Sequence, residues 1–447
     1  MALTGIEIYK FLPKTNCKEC GFPTCLAFAM KLAAKSAELS LCPYVSEESK
    51  QALESASRPP IRLVTIGVGD RKVEVGNEVV MFRHEKTFYN PPAYIIQIKD
   101  TDSADEVARI VGEVSSYSVE RVGLELKLNG IAIENASNNG DNFVKCVELV
   151  KSKTDLPLVL MSSNPSVMNQ TLEKVSDAKP LIYAATKENC DQMVELAKKY
   201  QCPLAVYEPA GLSELTELIT RVTDAGVEDV VLDPGAREFG PSLSTLTQIR
   251  RLAIKNSFQP LGFPIITFPG QGSGGIEEEA VLAGQQVAKY AGIIVLDRFT
   301  PGVVYPLVTL RLNIYTDPQK PIQMTPGIYE IGKPTKESPL CVTTNFSLTY
   351  FSIAGELESS GFPAWLIVCD TEGLSVLTSW AAGKLDADKI AKTVKEFNAA
   401  DKISHRNIIL PGGVAVLRGE LEEELPDWKI MIGPRDAVDV GGFLKKQ

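Results

Sequence analysis

Histidine is nearly absent from this chain of 447 residues, since it occurs only at His84 and His405. Neither has a second histidine or a cysteine nearby in the sequence, so we expect surface residues rather than metal ligands. Long apolar runs are also missing, and none approaches the roughly 18 residues that span a bilayer. The first residues, MALTGIEIYKFLPK, lack the charged-then-apolar layout of a signal peptide. These absences predict a soluble, cytoplasmic protein.

The charge pattern also lacks a basic stripe. The net charge is -10 and the isoelectric point is about 5.1, with lysine and arginine scattered among acidic residues. Such a pattern offers no face that could follow a phosphate backbone, which argues against a nucleic-acid partner. Hydrophobic residues make up 44% of the chain, and at about 150 residues per domain the length predicts two to four domains.

Cysteine is too sparse for a disulfide scaffold, because there are nine in the whole chain. Five lie singly in apolar or helical surroundings and are predicted to be small buried side chains: Cys146, Cys190, Cys202, Cys341 and Cys369. The other four fall within 26 residues near the N-terminus. In a reducing compartment, such a local group is typical of a metal site.

The N-terminal cysteines follow the spacing Cys17-x2-Cys20-Gly-x3-Cys25-x16-Cys42-Pro. Gly21 and Pro23 let the backbone turn tightly, so that three thiolates can face one inorganic core. An amphipathic helical segment then returns the chain to Cys42. Zinc is the alternative, but zinc modules usually have two two-cysteine knuckles or paired histidines. The spacing therefore favours a low-potential [4Fe-4S] cluster bound by all four cysteines.

The middle of the chain has a repeating pattern. Residues 58–92 contain IRLVTIGVG and KVEVGNEVVMF, which predict a hairpin that turns around Gly69 and Asp70. Over residues 93–317, eight buried-strand runs start 23 to 35 residues apart with helical patterns between them: AYIIQIK, VGLELKL, LPLVLMS, PLIYAA, PLAVYE, DVVLDPG, PIITFP and GIIVLDR. Eight strand–helix units predict a TIM barrel.

Active sites of such barrels lie where the strands end. The candidates there are Glu125, Lys127, Asn164, Glu208, Asp233, the loop FPGQGSGG and Asp297. They include no histidine and no nucleophile with a base. The loop Gly270–Gly275 either holds a phosphate or is a plain flexible loop, since it lacks the lysine of a P-loop. We therefore expect the barrel to be a docking body rather than an enzyme.

A proline-rich stretch, residues 318–339, is predicted to be a linker. Beyond it, residues 340–447 alternate short buried strands (CVTT, AWLIVCD, RNIILPG, WKIMIGP) with helical segments, which predicts a small three-layer α/β domain. Ligands of such domains bind beyond the carboxyl ends of the strands. The candidate contacts are Thr343, Asn345, Phe346, Asp370, Thr371, Glu372, Gly373, Leu374, Gly412 and Gly433.

Three segments carry a family resemblance: KFLPKTNCKECGFPTCLAFAMKLA, GVGDRKVEVGNEVVMFRHEKTFYNP and ILPGGVAVLRGELEEELPDWKIMIGPRDA. With the eight-unit barrel between them, they resemble the large (gamma) subunit of the corrinoid iron-sulfur protein of the acetyl-CoA (Wood–Ljungdahl) pathway over essentially the whole chain. The resemblance implies a multidomain α/β protein. Its parts are a [4Fe-4S] domain (1–57), a hairpin (58–92), a TIM barrel (93–317), a linker (318–339) and a Rossmann-like corrinoid-binding domain (340–447).

The same resemblance implies a methyl carrier of anaerobic carbon fixation. A cobamide in the C-terminal domain accepts a methyl group on cobalt(I) from methyltetrahydrofolate through a separate methyltransferase, and donates it to acetyl-CoA synthase. The small barrel subunit is the partner in a heterodimer, and the cluster returns oxidised cobalt(II) to cobalt(I). Neither histidine lies in an Asp-x-His-x-x-Gly loop, so a base-off cobamide without a histidine ligand is expected. Motion of the cluster domain is expected at the linkers 55–60 and 318–339.

Two other functions stay open. In the first, the barrel itself methylates the corrinoid from a pterin; class 2.1.1 is the class expected of the methyl-carrier subunit, which acts within methyltransferase chemistry. In the second, the chain is an iron-sulfur electron-transfer protein whose C-terminal domain binds a flavin or a nucleotide. The lack of an acid–base set argues against the first, and no strand-GxGxxG-helix fingerprint supports the second. Whether the chain is itself an enzyme is left undecided.

Overall fold

The computed structural model describes residues 5–33, 37, 39–46, 49–50, 53, 59–121, 123–317 and 322–446. The chain divides into two compact units: Met1–Tyr117 with Lys127–Tyr315, and Ser118–Leu126 with Thr316–Gln447. Within the described ranges, no helix is long and apolar enough to cross a membrane.

The N-terminal segment of the first unit has two short helices, α1 (Gly5–Phe11) and α2 (Cys25–Ala33). They form a small apolar core that includes Ile8, Phe28 and Ala29. The helix predicted between Cys25 and Cys42 is confirmed as far as Ala33, whereas residues 34–36 and 38 lie outside the described ranges.

A hairpin follows, as the alternation of residues 58–92 predicts. Strands β1 (Val64–Ile66) and β2 (Val73–Val75) are antiparallel, and their valine and isoleucine side chains join the apolar cluster inside the barrel. Gly67 N–H donates to the carbonyl of Lys179 at 2.9 Å, and Arg62 N–H donates to that of Gly262 at 2.9 Å. Because Lys179 and Gly262 precede barrel strands, the hairpin closes the amino-terminal end of the barrel.

Eight parallel strands form the barrel and confirm the predicted TIM architecture. The sheet closes where Leu232 N–H donates to the carbonyl of Pro264 at 2.8 Å. The strands are β3 (Ala93–Lys99), β6 (Gly130–Glu134), β7 (Leu158–Met161), β8 (Leu181–Ala185), β9 (Leu204–Tyr207), β10 (Val230–Asp233), β11 (Ile266–Thr267) and β12 (Ile293–Leu296), while β4 (Ser118–Arg121) and β5 (Leu124–Lys127) lie outside the barrel. Its helices are α3 (Ala104–Ser116), α4 (Gly140–Lys153), α5 (Pro165–Val175), α6 (Cys190–Tyr200), α7 (Leu212–Asp224), α8 (Phe239–Lys255), α9 (Ile276–Ala288) and α10 (Pro301–Tyr315).

The prediction that VGLELKL forms the second barrel strand is wrong. Its residues contribute β5, which pairs with β4 in a separate two-stranded sheet, and the segment Ser118–Leu126 belongs to the second unit. The second barrel strand is β6, which is buried at every position before Glu134, whereas the first two residues of β5 are exposed. Strands of parallel barrels read as continuous apolar runs, and GIAI fits that rule better than the alternating LELKL. Glu125 and Lys127 therefore do not lie at the strand ends of the barrel.

The second unit contains a five-stranded sheet in the order β13-β15-β14-β16-β17, with β13 as an antiparallel edge. The strands are β13 (Gly327–Ile331), β14 (Leu340–Thr344), β15 (Ala364–Cys369), β16 (Asn407–Leu410) and β17 (Lys429–Ile432). The helices are α11 (Ser347–Ser360), α12 (Val376–Ala381), α13 (Ala387–Glu396), α14 (Ala399–Lys402), α15 (Arg418–Glu424) and α16 (Val440–Leu444). Apolar clusters cover both faces of the sheet, which confirms the three-layer α/β prediction.

The segment expected to be a linker, residues 318–339, contains strand β13. The strand pairs with β15 along its whole length, and Ile331 is buried in the core. The strand was not predicted because the prolines of this segment suggested a linker. Edge strands, however, tolerate proline nearby. Residues 318–321 and 55–58, which belong to the two predicted linkers, lie outside the described ranges.

A buried ion pair joins helix α8 to the segment after β2. Arg250 is 1% exposed, pairs with Glu78, and donates from Nε to the carbonyl of Val80 at 3.1 Å. Its guanidinium also lies 4.7 Å from the ring centre of Tyr290. Burial lowers the pKa of Arg250 to about 10, so the pair carries a desolvation cost that these contacts offset.

We expect Arg250→Ala to destabilise the first unit by about 3–5 kcal/mol, because it leaves the Glu78 carboxylate without its buried partner. Thermal unfolding followed by circular dichroism measures the change as a lower Tm. Arg109→Ala is the control, since Arg109 makes ion pairs only on the exposed face of α3. Equal Tm values for the two variants would contradict this account.

Candidate functional site

Of the N-terminal cysteines, Cys17 and Cys20 lie on the loop between α1 and α2, Cys25 begins α2, and Cys42 follows it. Asn16, Lys18 and Gly21 have left-handed backbone angles, which bend the loop between the helices. The Asn16 side chain accepts the backbone N–H of Cys25 at 2.8 Å and so fixes the start of α2. These backbone angles and this hydrogen bond form the tight turn that the cysteine spacing predicts.

The four thiols are free and share one small domain. Cys25 and Cys42 are buried in its apolar core, Cys20 packs against that core, and Cys17 is half-buried. In the parts of the chain that the structure describes, no three ligand-type side chains form a preformed metal site. The fit to a cluster therefore rests on the chemistry and sequence spacing of the donors, because four cysteine thiols in one short segment are the ligand type that iron-sulfur clusters take.

The five isolated cysteines are buried, as predicted. Burial raises the pKa of Cys146 and Cys202 to about 11, and that of Cys341 and Cys369 to about 12. Thiols with such pKa values stay protonated at neutral pH, which supports the prediction that these residues are buried packing side chains.

At the carboxyl end of the barrel, Asp233 is fully buried and fully bonded. Its carboxylate accepts the hydroxyl of Tyr183 at 2.6 Å, the N–H of Gly235 at 2.9 Å, and both terminal nitrogens of Arg237 at 2.7 Å. Burial and the Asp233 charge raise the pKa of Tyr183 well above its ordinary value. Neither side chain is therefore available as a general base.

The other predicted strand-end residues also have structural roles. Asn164 caps α5 by accepting the N–H of Ser166 at 2.9 Å, and Glu208 pairs with Lys187 at 3.2 Å. In the loop FPGQGSGG, the N–H of Gly274 donates to the carboxylate of Glu278 at 2.7 Å. A carboxylate at that position repels phosphate, so the geometry favours the plain-loop alternative. The structure assembles no catalytic set from these residues.

The second unit contains a cavity of about 660 Å³ between one face of the sheet and helices α11 and α16. It opens at the carboxyl ends of β14, β16 and β17, which is where ligands of α/β sheets bind. Its walls are mainly apolar: Cys341, Val342, Leu348, Thr349, Ser352, Ile353, Ser375, Val376, Leu377, Ile409, Leu410, Pro411, Gly413, Gly433, Pro434, Arg435, Asp436, Ala437, Val440, Phe443 and Leu444.

Of the ten residues predicted to contact the ligand, Gly433 lines this cavity. Gly412 lies beside it, and a side chain there would clash with Gly433 and Pro434. The lining residues that were not predicted lie on strands β14 and β16, on the loops after the strands, and on helices α11, α12 and α16. Their only signal was apolar residues in helices next to strand ends, which is equally typical of core packing.

Asn345 organises the loops after β14 and β15. Its side-chain oxygen accepts the N–H of Thr371 at 2.9 Å and that of Gly373 at 3.0 Å, and its amide donates to Asp370 at 3.1 Å. The predicted contacts Asn345, Asp370, Thr371 and Gly373 are thus brought together, but they bond to one another. They hold the rim of the sheet in one conformation.

Three hydroxyls at the end of β14 are buried without a partner in the described part of the chain. They belong to Thr343, Thr344 and Ser347, which are at most 1% exposed. Buried hydroxyls without partners cost free energy, so they indicate a place where a bound group completes the hydrogen bonding. Thr343 and Thr344 end β14 and Ser347 begins α11, next in sequence to Val342 and Leu348, which line the cavity.

The comparisons with known proteins concern nearly the whole chain. Residues 63–444 match the family model described as CO dehydrogenase/acetyl-CoA synthase delta subunit, and residues 12–44 match one described as a putative Fe-S cluster. The chain is 45% identical to the corrinoid/iron-sulfur protein large subunit of Moorella thermoacetica, covering 100% of this chain and 99% of that protein. The chain belongs to the corrinoid/iron-sulfur large-subunit family. The resemblance seen in the sequence is confirmed.

Other relatives of this large-subunit family come from archaea. The chain is 37% identical to the acetyl-CoA decarbonylase/synthase complex subunit gamma of Methanopyrus kandleri, over 100% of this chain and 98% of that protein. Among solved structures, it is similar to dihydropteroate synthase from Thermus thermophilus, with 15% identity and a TM-score of 0.39, over 56% of this chain and 100% of that one. The barrel assignment rests on the strand order and not on that distant likeness.

The raised thiol pKa values predict selective alkylation. In iron-free protein treated with iodoacetamide at pH 8, Cys17 and Cys20 should react, whereas Cys341 and Cys369 should stay unmodified because they are buried and protonated. Peptide mass spectrometry measures the modified fraction of each site. Unfolded protein, in which all nine cysteines should react, is the control. If Cys369 were alkylated as fast as Cys17 in the folded protein, the conclusion that Cys369 is a buried, protonated thiol would be wrong.

Proposed function

We propose that the chain is the methyl-carrying large subunit of a corrinoid iron-sulfur protein. The observation that carries the proposal is the presence, in one chain of this family, of a four-thiol domain and a separate ligand cavity of about 660 Å³. On this proposal the chain holds a [4Fe-4S] cluster at Cys17, Cys20, Cys25 and Cys42, and a corrinoid at the C-terminal cavity.

The corrinoid, when bound, supplies a cobalt(I) nucleophile that accepts and then donates the methyl group. The chain contributes the binding and the environment. Apolar walls from α11 and α16 exclude water, and Gly433 permits a close approach of backbone to ligand. The unpartnered hydroxyls of Thr343, Thr344 and Ser347 are the donors and acceptors that the amide side chains of a corrinoid would satisfy.

We propose that no histidine of this chain ligates the cobalt. Both ring nitrogens of His405 are engaged with the backbone, Nε2 with the carbonyl of Ser338 at 3.0 Å and Nδ1 with the N–H of Asn407 at 3.2 Å. His84 stacks on Phe82 in the first unit, with ring centres 5.6 Å apart. We propose in addition that the corrinoid would be held in the base-off state, because cobalt without a nitrogen donor below it would be easier to reduce.

The N-terminal thiols are proposed to anchor the electron-transfer centre that restores the carrier after accidental one-electron oxidation. The partners proposed are a small barrel subunit in a heterodimer, a methyltetrahydrofolate-dependent methyltransferase and acetyl-CoA synthase. The Methanopyrus kandleri relative is a subunit of an acetyl-CoA decarbonylase/synthase complex, which supports a role within an assembly. Cytoplasmic location is part of the same proposal.

The alternative functions gain no support from the geometry. A methyltransferase active site in the barrel would need a free acid or base, and Asp233 is fully bonded. A dinucleotide-binding domain of the GxGxxG type has a glycine-rich turn after its first parallel strand. The turn after β14 is Asn345-Phe346, which leads directly into α11.

Replacing one proposed cluster ligand should abolish the cluster. We expect Cys17→Ala to lose most of the iron and sulfide bound per chain, because three thiolates hold a four-iron core poorly. Iron and sulfide assays with EPR of the reduced protein make the measurement. Cys146→Ala, which removes a buried thiol of α4, should keep the full iron content. Equal iron in both variants would rule out Cys17 as a ligand.

Filling the cavity with a larger side chain should remove the corrinoid and leave the iron-sulfur cluster in place. Ser352 lines the cavity on α11, so Ser352→Trp should lower the cobalt content several-fold while the iron content is unchanged, because a large side chain occupies the ligand's volume. Ser359→Trp is the matched control, because Ser359 is an exposed serine about two turns further along the same helix and does not line the cavity. Cobalt assay and the optical spectrum of the anaerobic protein are the readouts. Full cobalt in Ser352→Trp would place the corrinoid elsewhere.

A further inference from the structure

The mouth of the barrel contains an aromatic slot. The guanidinium of Arg237 lies 5.0 Å from the ring centre of Phe268 and 5.6 Å from that of Tyr207. The ring of Tyr183 meets Phe268 edge-on, with the centres 4.9 Å apart. The rings of Phe268 and Tyr207 thus lie against one planar group, and the Tyr183 ring packs beside Phe268 with its hydroxyl 3.4 Å from a terminal nitrogen of Arg237.

The carboxylate of Asp233 lies at the inner end of the slot and faces the edge of the Arg237 guanidinium. Asp233 is 0% exposed and accepts two parallel N–H bonds from Arg237, at 2.7 Å each. The phenol of Tyr183 donates to the same carboxylate at 2.6 Å. Two parallel hydrogen bonds to one edge, with rings against the faces, are the way proteins recognise planar guanidinium and amidine groups.

The occupant of the slot comes from a loop. Arg237 precedes α8 in the turn after β10, and its side chain remains 18% exposed. Its Nε donates to Gln271 at 2.7 Å in the neighbouring loop. A cavity of about 370 Å³ lies against it, between the loops after β9 and β10. The side chain can therefore leave the slot without disturbing a strand, and the cavity offers room on its outer side.

We propose that Asp233, Tyr183, Tyr207 and Phe268 form a binding slot for a planar molecule with two parallel N–H donors, and that Arg237 is its internal occupant. The ligand class comprises guanidinium and amidine groups and the amino-imino edge of a fused heterocycle. An external ligand enters only when the Arg237 side chain swings out. This site is independent of the proposed methyl-carrier function, which uses neither Asp233 nor Arg237.

Removing the occupant should create a measurable site. Arg237→Ala leaves a buried carboxylate without its cation, so its Tm should fall. Methylguanidine at roughly ten times its Kd should then raise the Tm of the variant by about 2–4 °C, because it binds only the folded chain. Methylammonium, which has the same charge but no planar pair of donors, should raise it much less. The wild-type chain should respond equally weakly to both compounds.

The double variant Arg237→Ala/Asp233→Asn separates slot binding from other effects, and it should not respond to methylguanidine. If Arg237→Ala fails to fold alone, it is refolded in the presence of each compound, and methylguanidine should restore the folded chain where methylammonium does not. Equal responses to the two compounds in a folded variant would overturn the proposal. So would an undiminished response of the double variant, or a response of the wild type as large as that of Arg237→Ala.

Discussion

The first unit depends on the closure of its parallel sheet. Strand β11 contributes only two residues to the ladder, and the ring of strands closes through the hydrogen bond from Leu232 to the carbonyl of Pro264. Closure leaves no strand edge unpaired and aligns all eight carboxyl ends at one mouth. The hairpin β1–β2 fills the opposite end with apolar side chains. The aromatic slot and the bonded Asp233 exist because closure brings three strand ends together.

The sequence predicted the parts of the fold that repeat or that follow a strict spacing. The cysteine motif located the N-terminal domain, and a strand every 23 to 35 residues predicted the barrel. The second strand was misplaced because LELKL alternates strongly, whereas the true strand GIAIE is short and starts at Gly130. Alternation marks a half-exposed strand, which is the wrong pattern for a parallel barrel. Strand β13 was not predicted because the prolines that flank it indicated a linker.

The C-terminal cavity was predicted only in part. Strand ends could be read from the sequence, so Gly433 was found. The walls contributed by Leu348, Phe443 and Leu444 could not be told from ordinary core residues, because a helix face looks apolar whether it covers a sheet or a ligand. Asn345 was correctly placed at a strand end, yet its bonds go to Thr371, Gly373 and Asp370. The sequence locates a polar side chain, but only the structure reveals which groups saturate it.

The excursion β4–β5 makes the second unit discontinuous in sequence. Residues 118–126 belong to it, and the next segment of the same unit starts at residue 316, 190 positions after residue 126. Gly123 packs against Met324 and Phe351 there. At a synthesis rate of about 5–20 residues per second, the rest of the second unit is therefore made on the order of 10–40 seconds after β4 and β5. The first unit has the opportunity to fold during that interval, with the hairpin held as an open loop between α3 and β6.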